Sequence, residues 1–361
     1  MNLILYILMI VTGFLGCLHE LMFNRNNWYL LFASVVFFVL TMCSCVGSFS
    51  DITDLASYID FFIDGNETYF EPGYVWLTSG ANYLFGNSPY VLLTTVNIWD
   101  VSMIIFAAWL CHKLSDNYVQ EKAEMITFFP ATLFFIVSIY WGSFFGSTVL
   151  RFGMAATLLY SACVFSIYHK PLYAIVVSLA AMLFHLSAII FLLAVILISF
   201  IKDLSFRQYT IWFFVVLVFD VVLYTTQIYT TSFIDKLFET ITDIEMMSHY
   251  TEYSSNEGEN YFSTQYLSYH LFGFLMLFGN LNNSQYNRTV MFYFVGLTIG
   301  CFFQSAIIVM RVQWLFLTMI VLVAYFFLKD DKFSLEVKLL TIGGFVLIQS
   351  VMALRVLGWH V

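Results

Sequence analysis

Long apolar runs alternate with short polar breaks along the whole chain, and most runs are of membrane-crossing length. About 20 residues of helix cover the ~30 Å of hydrocarbon in a bilayer. On that measure the pattern predicts helices over residues 3–23, 28–49, 89–111, 125–145, 147–168, 172–185, 187–201, 209–231, 264–282, 289–310, 312–328 and 339–357. Residues 73–88 are short and rich in Gly and Asn, and read as a re-entrant or interfacial helix. A crossing there would move the N-terminus to the other side. The 31 residues between Lys170 and Lys202 would span ~46 Å as one helix, at 1.5 Å per residue. Both flanks are basic, so the pattern favours a hairpin with its tip near His185. Each half reaches only ~22 Å, which leaves the tip below the outer surface, at the floor of a cavity. No internal repeat or low-complexity tract is visible, which weighs against an inverted-repeat transporter.

Charge orients this pattern. Of the 14 Lys and Arg residues, ten (Arg25, Lys113, Lys122, Lys170, Lys202, Arg207, Arg288, Lys329, Lys332 and Lys338) fall in breaks that the alternation puts on one side. The positive-inside rule makes that side cytoplasmic. The expectation is an all-α integral membrane protein, a polytopic bundle of about 12 transmembrane helices with both termini outside. It forms a single domain over residues 1–361. The first run carries no basic leader and no small-residue cleavage site, so it reads as a retained helix. Composition agrees: 61% hydrophobic and 10% charged, against about 25% charged in ordinary soluble domains. The net charge of −9 argues against nucleic acid or anionic lipid as partner. All six cysteines lie in apolar runs without metal-ligand spacing, so they read as packing residues, and neither metal nor cofactor is expected.

Two acidic loops, about residues 50–72 and 231–263, fall on the outer side. The first carries Asp51, Asp54, Asp60, Asp64, Glu67 and Glu71 and no cation; the second carries seven acids against Lys236. Most of these acids read as a solvated surface. The sharper reading is a sugar-binding rim, in which carboxylates accept hydroxyl hydrogen bonds, aromatic rings pack on sugar faces and one acid serves as a base. Asp51, Asp54 and Glu71 lie nearest helix ends facing the expected cavity.

Three arginines break the sidedness. Arg151 is the fifth residue of its expected helix, Arg311 sits at the tip between two apolar runs, and Arg355 lies one turn from the end of the last helix. Each can snorkel to headgroups or pair with a loop carboxylate, and for Arg355 that reading is the stronger. A guanidinium fork at membrane depth is costly, cannot lose its charge and matches phosphate oxygens bidentately. Arg151 and Arg311 are therefore candidates to hold an anion. A histidine in an apolar run more often satisfies itself within the bundle, but His185 at a hairpin tip is also a candidate base. Asp100 and Asp220 lie mid-helix and would suit a proton-coupled carrier.

The stretch Asp51-x-x-Asp54-x-x-x-Tyr58, followed by Glu71-Pro72-Gly73-Tyr74 entering an apolar segment, resembles the first outer loop of Wzy/EpsG-type polysaccharide polymerases. So do Leu150-Arg151-Phe152-Gly153-Met154-Ala155 opening a helix, Phe184-His185-Leu186-Ser187-Ala188 about 30 residues later, and Arg311 after a long apolar helix. The matches run in order over residues 50–315. Phe152 stands where members commonly carry Gln.

The resemblance implies a metal-independent, GT-C-like membrane glycosyltransferase of the bacterial inner membrane, with its active site facing the periplasm. It would join undecaprenyl-diphosphate-linked repeat units of O-antigen or capsule with inversion. Arg151, Arg311 and Arg355, with Tyr58 and Tyr74, would bind diphosphate and substrate. His185, Asp51, Asp54 or Glu71 would supply the catalytic base. A chain-length regulator and a flippase are the implied membrane partners. The rival readings are an O-antigen ligase, a membrane O-acetyltransferase and a glycan transporter.

Overall fold

The chain's four prolines, Pro72, Pro89, Pro130 and Pro171, each open a helix. The first helical position tolerates Pro because its N–H has no intrahelical partner. The computed structural model describes residues 2–46, 54–65, 70–115, 129–226, 264–302 and 307–356, and among these every regular element is a helix. In chain order they are α1 (Leu3–Phe23), α2 (Trp28–Cys43), α3 (Asp54–Asp64), α4 (Pro72–Phe85), α5 (Pro89–Lys113), α6 (Pro130–Val137), a π-helical turn (Ser138–Gly142), α7 (Ser143–Ser147), α8 (Leu150–Ile167), α9 (Pro171–Met182), α10 (Ala188–Phe200) and α11 (Phe206–Thr226). Then follow α12 (Thr264–Met276), α13 (Ser284–Phe302), α14 (Ile307–Leu317), α15 (Ile320–Lys329) and α16 (Leu335–Val356).

Among the described residues six spans are long and apolar enough to cross a membrane: Leu3–Phe23, Pro89–Lys113, Pro130–Ser147, Leu150–Ile167, Arg311–Lys329 and Leu335–Ala353. Shorter apolar helices lie at Trp28–Cys43, Pro171–Met182, Ala188–Phe200 and Leu267–Met276. These fit a membrane protein, and their burial sorts them. The most hydrophobic stretch of Pro130–Ser147 is 100% buried and that of Leu150–Ile167 83%, against 33% for Leu3–Phe23 and 22% for Leu335–Ala353. The first two are therefore the bundle's centre. The last two present large apolar side chains such as Ile4, Val11, Leu340 and Leu347 outward, a distribution that suits lipid.

Two compact units divide the chain: Met1–Val195 with Ala324–Val361, and Ile196–Val323. In the first unit α1 pairs with α2 and packs on α6, α5 packs on α8, and α9 runs along α8. The Tyr6 hydroxyl donates to the Ile139 carbonyl at 2.8 Å, tying α1 to the π turn. Asp100 accepts the Thr157 hydroxyl at 3.0 Å, while Asn97 donates to the Leu93 and Gly146 carbonyls. In the second unit α11, α12 and α14 pack on α13.

Three sequence expectations change. The acidic stretch 50–72 contains a helix, α3, because Leu55, Tyr58 and Phe62 share one buried face at helical spacing. Arg311 is the fifth residue of α14 and not a tip between helices. The apolar run around it continues through α14, and the turn residues Thr318–Met319 part α14 from α15. The break at residues 183–187 falls where expected, but α10 does not lie close along α9 as a hairpin partner would; α9 packs on α8 instead.

Candidate functional site

Four segments of the first unit converge on Arg151, and one carboxylate ties three of them. Glu71 occupies the N-cap position of α4 but makes no cap hydrogen bond with its side chain. Its Oε2 instead accepts from the Arg151 guanidinium, and its Oε1 accepts the Leu186 backbone N–H at 3.2 Å. The clasp joins the start of α4, the first turn of α8 and the turn at residues 183–187. A second bond reinforces it: the Gly73 N–H donates to the Leu183 carbonyl at 2.7 Å. A Cβ on residue 73 would lie 2.7 Å from that same oxygen, so only Gly permits the approach.

Arg151 is the second residue of α8 as the helix is observed, one turn nearer its start than the apolar pattern indicates. A cation there faces the positive end of the helix dipole, which costs ~0.3–1 kcal/mol unless an anion offsets it. Glu71 supplies that anion. The guanidinium carbon lies 4.4 Å from the Phe70 ring centre and 5.5 Å from that of Tyr58. The Nε–H donates to the Tyr58 hydroxyl at 3.4 Å. Phe70, Tyr58 and Tyr74 form a mutual ring cluster with centroids 5.4–5.6 Å apart. The result is a planar cation over aromatic rings, 15% exposed, beside a carboxylate 14% exposed.

Tyr74 is fully buried, and its hydroxyl has no hydrogen-bond partner among the described residues. Burial pushes the phenol well above its ordinary value, so it stays neutral and keeps its proton. His185 is buried at the same turn. Its Nδ1 accepts the Ser187 backbone N–H at 3.3 Å and meets the Ser187 hydroxyl at 2.7 Å. An N–H donating to Nδ1 assigns the proton of the neutral ring to Nε2. The edge of Phe152 stands on the imidazole, with centroids 5.4 Å apart at 85°.

Of the residues named from sequence, Arg151, Glu71, Tyr58, Tyr74 and the His185 turn come together. Asp54 begins α3, but its side chain lies outside the described residues, as do Asp51 and the side chain of Arg355 in α16. Arg311 is half-buried in the second unit. Asp220 also belongs to that unit, where its Oδ2 lies 2.6 Å from His270 Nε2. Sequence reasoning passed over Phe70, which adjoins the Glu71 motif, and quoted Ser187 within the His185 motif without giving it a role; neither carries chemistry that singles it out without the geometry.

The sequence model described as the EpsG family matches residues 32–358. That match takes in every described residue of this site. No curated protein and no solved structure matches the chain.

Proposed function

The chain belongs to the EpsG family, and from that premise we propose that it polymerises polysaccharide at the periplasmic face of the bacterial inner membrane. The observation that carries the reading is the Glu71–Arg151 clasp, a partly exposed carboxylate and guanidinium set among aromatic rings. The family supports a polymerase-type membrane protein, and this pair supplies the two groups its chemistry needs. The finer architecture belongs to the proposal too: about twelve crossings, GT-C-like, with the ten cations of the polar breaks inside.

The donor is a glycan on undecaprenyl diphosphate and the acceptor a hydroxyl of the next lipid-linked unit. That oxygen forms a bond to the anomeric carbon as the bond to the diphosphate oxygen breaks, which inverts the configuration. The departing diphosphate takes the bonding electrons, and Arg151 holds it through its fork. Arg311 and Arg355 are further candidates for that charge, as Asp51 and Asp54 are for the glycan rim. The acceptor's proton goes to Glu71. Diphosphate on Arg151 draws the guanidinium off the carboxylate, which turns Glu71 Oε2 toward the acceptor hydroxyl. His185 donates from Nε2–H to a phosphoryl oxygen, and Tyr74 keeps its proton as a further donor. Preorganised donors in a site poor in water are the strongest means of stabilising such a leaving group.

A deletion strain separates the rivals. Loss of a polymerase leaves single repeat units on the glycolipid, and loss of a ligase leaves none. Loss of an acetyltransferase leaves chain length unchanged, and loss of a carrier leaves repeat units trapped inside. Purified protein should also lengthen lipid-diphosphate-linked glycan without added metal; a strain that keeps its full polymer ladder after deletion overturns the reading.

A further inference from the structure

The end of α3 and the outward side of α4 enclose an open groove of about 420 Å³, within the ~300–1,000 Å³ of small-molecule sites. Its lining includes the rings of Phe61 and Tyr83, the Asp64 carboxylate, the hydroxyls of Thr78 and Ser79 and the Asn82 amide, and among the described residues no Lys, Arg or His. Those walls exclude two occupants. An anion would meet a carboxylate and no cation. An acyl chain would strip water from Asp64, Ser79 and Asn82 without returning a hydrogen bond.

The polar groups are set for hydroxyls. The Thr78 hydroxyl is already bonded to the Tyr74 carbonyl at 2.8 Å, which braces the wall. The Asn82 Nδ2 donates to the Phe62 carbonyl at 2.9 Å, which fixes the amide and turns its Oδ1 into a directed acceptor. Asp64 and Ser79 are exposed, and Tyr83 is 90% exposed despite its size. An exposed aromatic ring beside fixed polar groups matches the alternating apolar and hydroxylated faces of a sugar.

One wall of the groove, Phe61, adjoins the clasp. Phe61 stands edge-on to Phe70 at 4.8 Å and lies 6.4 Å from Tyr74, and Phe70 is the ring beneath Arg151. We propose that the α3–α4 groove is a glycan subsite. It takes neutral sugar residues of a chain whose diphosphate lies on Arg151, with Phe61 and Tyr83 on the ring faces and Asp64, Ser79 and Asn82 on the hydroxyls. The assignment rests on the polymerase reading for its substrate, and its test is built to fail separately.

The full chain in lipid nanodiscs is titrated with the neutral oligosaccharide repeat released from the host strain's own polymer, followed by saturation-transfer NMR. Tyr83→Ala and Asn82→Ala should each weaken binding about fivefold or more without changing thermal unfolding. Arg151→Lys should leave this binding unchanged, and inorganic diphosphate should not compete. Equal affinity in native protein and both groove variants, or no binding to native protein, overturns the subsite. Sugar binding lost in the groove variants, from a native protein that never extends lipid-linked donor, keeps the subsite and sinks the polymerase reading. Normal polymer length from both groove variants does the reverse.

Discussion

Two of the acid–base pairs among the described residues, one in each unit, differ in the company they keep. Arg151 and Glu71 sit at helix starts, 15% and 14% exposed, with aromatic faces around the cation and a backbone N–H on the carboxylate. His270 and Asp220 sit mid-helix, 3% and 0% exposed, with the Phe213 ring against the imidazole. A carboxylate and imidazole taken wholly out of water serve mainly to hold α11 against α12. A pair with one side open can exchange its partner for a ligand, because desolvation has not locked the two groups together. On the proposed reading the first pair carries chemistry and the second architecture, whereas the carrier reading would lean on Asp220.

The largest effect should come from Glu71→Gln. Glutamine keeps an acceptor for the Leu186 N–H but cannot take a proton at working pH. Turnover should fall ~10²–10⁴-fold, as for loss of a general base, with the affinity for lipid-linked donor kept. Near-native turnover, measured as polymer extension by purified protein, would remove Glu71 from the chemistry. Arg151→Lys comes next. Lysine retains the charge but loses the planar fork and its stacking on Phe70, so activity should fall ~10²-fold or more at normal protein level. A full-length polymer ladder from that variant would rule out bidentate diphosphate binding.

His270→Ala should give the opposite signature. An uncompensated buried carboxylate costs about 3 kcal/mol or more, read as lowered thermal stability in detergent. Activity per folded molecule should stay near native. A hundredfold loss of turnover with unchanged stability would collapse the distinction between the two pairs.

How far the sequence carries this comparison depends on range. Apolar runs and basic breaks place most helices to within a few residues, because burial in lipid imposes a length and a sidedness that composition records. Acidic residues disguise α3, whose buried face is visible only in the spacing of Leu55, Tyr58 and Phe62. The π turn at Ser138–Gly142 leaves no mark in an apolar run. Arg151, Glu71 and His185 are legible as costly residues in short motifs. Their meeting is not, since Glu71 reaches 80 residues to Arg151 and 115 to Leu186. Phe70 and Ser187 matter only once that meeting is known. Asp100 illustrates the converse: its proximity in sequence to Asn97 suggests a pair, yet its bond goes to Thr157 on α8.

The smallest effect is expected at His185, where two roles diverge by one proton. With Nδ1 accepting from Ser187, the neutral imidazole offers a donor at Nε2, while its basic nitrogen, Nδ1, is turned to Ser187. A glutamine side chain can supply an N–H donor there, so His185→Gln should keep activity within about tenfold of native, a hydrogen bond to a charged group being worth ~1.5–3 kcal/mol and only partly lost. Protonation adds a charge but leaves Nε2–H in place, so native activity should not collapse as pH falls through the ordinary imidazole value of about 6.5. A base at His185 demands the reverse on both counts. Its activity would disappear below that pH, because the imidazolium cannot take a proton, and His185→Gln would be inactive at every pH. Polymer-extension rates of the two proteins from pH 5 to pH 8 therefore choose between His185 and Glu71 as the proton's destination.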